Sequence, residues 1–194
     1  HGPTPLSDLG RRQAEATARH LAEEGISAIY SSDLHRAVET ASELAKLTGV
    51  EVNKTKAFRE RHVGVLEGLT FDESRENHPR DYYALVNREV HHVITKGESY
   101  SQLLDRTKKK LWDIIRRHEG ERVAIFSHTG AICFITLHLM GAINRRTQRT
   151  PWIVTSNCGI NRFEIRPRRN IRVLAINDTR HLLDITGNDS FAAR

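Results

Sequence analysis

The chain has 194 residues, 38% hydrophobic and 28% charged, which suits one domain with a sizeable core and excludes intrinsic disorder as the default. Its net charge of +6 and pI near 9.6 point to an anionic partner, without choosing among nucleic acid, a membrane surface and a phosphorylated small molecule. No apolar run approaches the roughly 20 residues of a bilayer span. Cys133 and Cys158 are the only cysteines and lie in apolar stretches, so a disulfide framework is not expected and a reducing cytoplasm is the simplest setting.

Ser7 predicts the N-cap of a first helix, with Ala14, Ala18, Leu21 and Ala22 on one face and Gly25 as its stop. The stretch SAIYSS, 27–32, predicts a short buried strand. Ser32 or Asp33 then caps a second helix with Leu34, Ala37, Ala41, Leu44 and Ala45 on one stripe and Gly49 at its end. Residues 50–58 predict a strand that leads into the irregular stretch 59–73, and the polar segment 71–98 predicts helix and loop lying over one end of the domain.

Leu103, Leu104, Thr107, Leu111, Ile114 and Ile115 recur at helical spacing ahead of Gly120. RVAIFSH follows as an apolar strand terminating in His128, and Thr129-Gly130 opens another helix. INRFEI and IRVLAI predict two strands about the turn RPRRN, and 186–194 a frayed tail. Strands alternating with helices imply an α/β domain over residues 1–185, its sheet mostly parallel with an antiparallel edge.

In such a fold, reacting groups gather just beyond the C-terminal ends of the strands. Three strand ends supply Arg36, Glu60 and His128. Arginine suits phosphoryl transfer because its planar fork binds phosphate oxygens in pairs and keeps its charge. Glu60, between Arg59 and Arg61, is a candidate general acid towards a leaving alkoxide if desolvation lets it hold a proton. His128, at a strand-to-helix turn, sits where backbone N–H groups meet an anion. Singly, Arg36 reads more simply as a solvated arginine and Glu60 as a surface ion pair, while His128 reads equally well as a core histidine bonded to a carbonyl.

Taken together, PLSDLGRRQA, IYSSDLHRAVETA, FRERHVGVLEG, GES and VAIFSHTGAI, in this order over about 130 residues, resemble the histidine phosphatase superfamily, also called phosphoglycerate-mutase-like. The resemblance implies a three-layer α/β/α fold and a phosphohistidine mechanism without metal or other cofactor. It assigns acid/base work to Glu60, phosphate binding to Arg36 and steadying of the transferred group to His128. Thr129 stands where glycine is usual, its backbone N–H still a phosphate donor. Arg61 and His62 join the substrate-binding candidates, and His91, His92 and Lys96 are candidates for further positive charge over an acidic substrate. Tyr82, Tyr83 and Trp112 read as packing residues.

The family's nucleophile is the histidine of an Arg-His-Gly motif at the end of a first strand, well ahead of the PLSxxG segment. Here only Pro3 and Thr4 separate His1-Gly2 from Pro5. His1 is therefore expected to be a loop residue at the pocket rim, with the nucleophile of an unusually shortened loop as the alternative, and the chain a partial record of a longer protein. An unfilled or substituted strand position is expected beside AIYSS and VAIFSH. The first functional reading is a phosphomonoesterase taking a small phosphorylated metabolite or inorganic phosphate, with no nucleic-acid or membrane partner and a homodimer left open. A bisphosphoglycerate-dependent mutase and a non-catalytic binding relative remain the alternatives. RPRRN, the one candidate nucleic-acid contact, reads more simply as a solvated turn.

Overall fold

The structure, a computed structural model, describes residues 5–167 and 170–185. His1 and the tail 186–194 lie outside the described residues. Helix α1, Asp8–Ala22, begins as the sequence predicts, with Ser7 Oγ accepting a hydrogen bond from the Gly10 amide at 3.1 Å. Strand β1, Ala28–Ser32, is buried at every position. Helix α2, His35–Thr48, ends on Gly49 in the left-handed conformation at φ 72°.

The start of α2 differs from expectation. Leu34 is its N-cap and brings no capping side chain. Ser32 Oγ instead accepts the Leu34 amide at 3.2 Å, while Asp33 is held away by a two-pronged ion pair with Arg59, at 2.6 and 2.7 Å. Strand β2, Val52–Thr55, gives way to a single 3-10 turn over Lys56–Phe58. Two short helices, α3 (Phe71–Asn77) and α4 (Pro79–Val86), occupy the polar segment. Helix α5, Tyr100–Arg117, opens on a reciprocal cap between Ser99 and Gln102. Strand β3, Val123–Phe126, stops short of the predicted end, and His128 caps helix α6, Thr129–Leu139.

The main sheet runs β2-β1-β3, all parallel. Alternation along the strands builds the layers. Ile29 and Ala124 pack with Ala18 and Leu21 of α1 and Ala41 and Leu44 of α2. Ala28, Tyr30, Val123 and Ile125 turn the other way, onto Phe58, Ile114 and Ile135. Helices thus cover both faces, giving the expected α/β/α order. A further cluster joins α5 to α6, with Tyr100 stacked on Phe134 at 4.6 Å between ring centres.

The antiparallel pair β4 (Ile160–Arg166) and β5 (Asn170–Asp178) forms its own two-stranded sheet rather than an edge of the first. It is tied to α1 through Arg162, whose guanidinium reaches His20, Glu24 and Asp178. No gap separates β1 from β3, which are hydrogen-bonded neighbours. Among the described residues the outer edges of β3 and of β2 carry no strand partner, so an open strand position lies beside VAIFSH but none lies between it and AIYSS.

Candidate functional site

Because the three strands are parallel, their C-terminal ends open on one side of the sheet. Ser127 Oγ donates to the Phe58 carbonyl at 2.8 Å, stitching the end of β3 to the turn after β2 across the end of β1. That stitch brings the segments bearing Arg36, Glu60 and His128 together.

His128 is 7% exposed, with Nε2 2.8 Å from Ser32 Oγ. Ser32 Oγ also accepts the Leu34 amide, so this one hydroxyl ties the His128 ring to the start of α2. Burial, and then the positive fields of Arg36 and Arg106, push the imidazole down to about 3, against a partial upward pull from Asp33. His128 is therefore a neutral hydrogen-bonding group at physiological pH. An unfolded chain takes up this proton near 6.5 and the folded one only near 3. Stability should therefore fall as pH drops through that window, by up to about 1.4 kcal/mol per pH unit from this residue. Urea denaturation between pH 7 and 4 should show a shallower decline for His128→Gln than for the unmutated protein.

Glu60 is half-buried in the turn after the 3-10 segment. Its Oε2 accepts the Gly130 amide at 2.9 Å, and its Oε1 accepts the Arg61 amide at 2.8 Å. The carboxyl group is thereby fixed against the N-terminus of α6, two residues beyond His128. This contact explains Gly130: a Cβ there would stand 2.4 Å from Glu60 Oε1. Gly130→Ala should leave thermal stability level or higher, as alanine in place of helical glycine usually does, by about 1 kcal/mol. Displacement of the carboxylate should meanwhile lower turnover about 10- to 100-fold, a split that melting curves and initial rates would read directly.

Arg36 is the second residue of α2 and half-buried. Its charge is felt at His128, and its guanidinium makes no hydrogen bond or ion pair among the described residues. Thr129 is the first residue of α6, where amides lack intrahelical partners. Arg36, Glu60, His128 and Thr129 thus form one cluster.

The remaining candidates divide. His62 is half exposed, with its imidazole 3.5 Å from Glu67, and it lines a cleft of about 200 Å³ together with Lys56, Arg59, Glu60 and Arg106. Arg61 points inward: it is 3% exposed, donates to the Glu98 carbonyl at 3.0 Å and lies 3.6 Å over the Tyr100 ring. Burial draws its pKa down. His92 is bound to the buried Asp81 at 2.7 Å, which ties the 90–97 loop to α4 and takes that imidazole away from substrate. His91 and Lys96 are exposed. Of the aromatic residues, Trp112 donates to His138 at 3.0 Å and Tyr82 meets Phe71 and Tyr83 edge to face, although Tyr83 itself is 54% exposed.

Two residues escaped the sequence reading. Asp33, a helix-cap candidate by residue type, holds Arg59 beside the site, an ion pair that keeps its carboxyl below the usual aspartate range. Arg106 lies on the shoulder of the buried stripe of α5 and reaches back to the turn of Glu60. An arginine one residue ahead of the buried Thr107 was the available signal. Among the described residues, no three His, Cys, Asp or Glu side chains converge as a metal set, and no helix is long and apolar enough to cross a membrane.

Comparison with known proteins addresses the family and the fold. The family model described as "Histidine phosphatase superfamily (branch 1)" matches residues 1–179. A metal-independent phosphoserine phosphatase of Arabidopsis thaliana is 40% identical over 140 residues, 71% of this chain and 59% of that protein. Phosphoserine phosphatase 1 of Hydrogenobacter thermophilus is 31% identical over 179 residues, 91% of this chain and 82% of that one. Among solved structures, Bacillus stearothermophilus YhfR superposes with a TM-score of 0.82 at 24% identity, covering 92% of this chain and 87% of the other, a likeness of fold. The chain spans 59% of the length of the first two curated relatives it matches.

Proposed function

The chain belongs to the histidine phosphatase superfamily, branch 1, and on that premise we propose that it hydrolyses the phosphate monoester of a small metabolite through a phosphohistidine intermediate. The observation that carries this reading is the joint between Glu60 Oε2 and the Gly130 amide at 2.9 Å. It sets a carboxyl group beside a helix start that also bears His128, where backbone amides can meet an anion. Arg36 and the Thr129 amide grip the phosphoryl oxygens, and neutral His128 steadies the transferred group. Glu60 protonates the leaving alkoxide and then takes a proton from the water that attacks the phosphohistidine.

In the family pattern the nucleophile is the histidine of an Arg-His-Gly strand ahead of PLSxxG, and we take it from there rather than from His1. Names of relatives, the two phosphoserine phosphatases among them, support a small phosphorylated metabolite as substrate. Two free thiols, one buried and one half-buried, agree with a reducing cytoplasm, and a homodimer is read by sedimentation.

The test is a panel of phosphoserine, phosphoglycerates, sugar phosphates and nucleotides. It is run on this chain and on one carrying an Arg-His-Gly strand ahead of residue 1. Release of inorganic phosphate by the longer chain, lost on mutation of Glu60, is the expected result. Isomer exchange of phosphoglycerates that depends on added bisphosphate would replace hydrolysis by a mutase reaction. Phosphate-ester binding without turnover in both chains would leave a binding domain.

A further inference from the structure

Glu60 lies in neither helix nor strand, so something other than regular backbone pairing must hold it to the accuracy that proton transfer requires. Arg106, on the second turn of α5, supplies that hold. One terminal nitrogen donates to the carbonyls of Ala57 and Arg59, both at 2.8 Å. The other donates to the Glu60 carbonyl at 3.0 Å and to Glu98 Oε1 at 2.6 Å, and Nε donates to Glu98 Oε2 at 3.1 Å.

These five contacts account for every N–H of a guanidinium. Arg106 borders the same cleft as Glu60, and a cation there invites the reading of a phosphate ligand. With all its donors spent on protein oxygens, it has none left for substrate. Its partner Glu98 grips the other flank of the turn. The Glu98 carboxylate accepts the His62 amide at 3.0 Å, its carbonyl accepts Arg61 Nε at 3.0 Å, and its amide donates to the His62 carbonyl at 2.9 Å.

We propose that Arg106, clamped to Glu98, is a positioning residue for Glu60: it gathers the carbonyls of 57, 59 and 60 and so aims the carboxyl group at the leaving oxygen. The inference rests on the acid/base role proposed for Glu60. It separates from a purely structural role through the leaving group. An alkyl phosphate needs its leaving oxygen protonated, whereas p-nitrophenolate departs almost unaided.

In the chain that turns over substrate, Arg106→Gln should lower kcat on alkyl phosphates about 30- to 100-fold. It should lower kcat on p-nitrophenyl phosphate less than about threefold and leave KM for either within about threefold, since no donor of Arg106 reaches substrate. Arg106→Lys should show the same pattern, because one ammonium cannot span three carbonyls and a carboxylate. Equal losses on both esters, or a KM rise that dominates, would overturn the assignment.

A second measurement needs no turnover. Hydrogen exchange at the Arg61 and His62 amides, which donate to Glu60 and Glu98, should accelerate at least about tenfold in Arg106→Gln, with β1 amides unchanged. Unaltered protection there would refute the clamp. Loss of β1 protection as well would make Arg106 a general fold element and refute it equally. Should the chain that turns over substrate keep its rate on alkyl phosphates in Glu60→Gln while the turn loosens as expected in Arg106→Gln, the clamp stands and the acid role of Glu60 falls.

Discussion

Glu60→Gln is expected to lower kcat on alkyl phosphates by about 10²- to 10⁴-fold, the range over which positioned proton transfer acts. Two losses combine. The amide cannot deliver or accept the proton, and it cannot reproduce the anchoring, because the carboxylate uses one oxygen for the Gly130 amide and the other for the Arg61 amide. Glutamine offers a single oxygen and sets an N–H against the remaining N–H donor. KM should move little, since the proposed grip on phosphate belongs to Arg36 and the start of α6. Initial rates across leaving groups of graded acidity give the check: the deficit should shrink steadily as the leaving group improves. A variant with undiminished turnover of alkyl phosphates would remove Glu60 from the reaction.

Much of this site was legible in the sequence, for reasons that differ by residue. Arg36 and His128 follow apolar strands directly, so the strand-end rule locates them without knowledge of tertiary contacts. The cap of α1 and the glycine end of α2 are local chemistry and came out as predicted. Asp33 shows where local chemistry is overridden. It is an acceptable helix cap by residue type, yet Arg59, 26 positions away, takes both carboxylate oxygens, and the helix starts without a side-chain cap.

The direction of a long side chain is what the sequence expresses least. Arg61 and His62 are adjacent, and by residue type both suit an anionic substrate. The backbone sends one inward onto Tyr100 and the other to the cleft. His92 suits such a substrate as well, but a buried carboxylate at position 81 claims it. Each case turns on a partner distant in sequence, and no periodicity encodes such pairings. The separate β4–β5 sheet belongs with these, since two strands joined by a short turn declare their own pairing but not whether a third strand lies beside them.

Arg36→Ala carries the other large expectation. A fork that can hold two equatorial oxygens through the transition state is removed, and loss of one such preorganised donor costs about 10²- to 10³-fold in turnover. Unlike Glu60→Gln, this variant should also raise KM and weaken inorganic phosphate binding by more than about tenfold, because the same charge holds the ground-state anion. Calorimetry with inorganic phosphate therefore tests Arg36 even in a chain that does not turn over. Arg36→Lys restores the charge without the fork, and binding should recover further than turnover.

The substitution has a signature at a second residue. Arg36 is one of the cations that hold the His128 imidazole near 3, so its removal should raise that value, whereas Arg36→Lys should leave it close to the original. Burial is the larger cause, so His128 should still titrate well below 6.5 in the alanine variant, as proton NMR of the imidazole would show. An unmoved imidazole, together with undiminished phosphate affinity, would place the Arg36 guanidinium in solvent and leave the phosphoryl group without its principal cation.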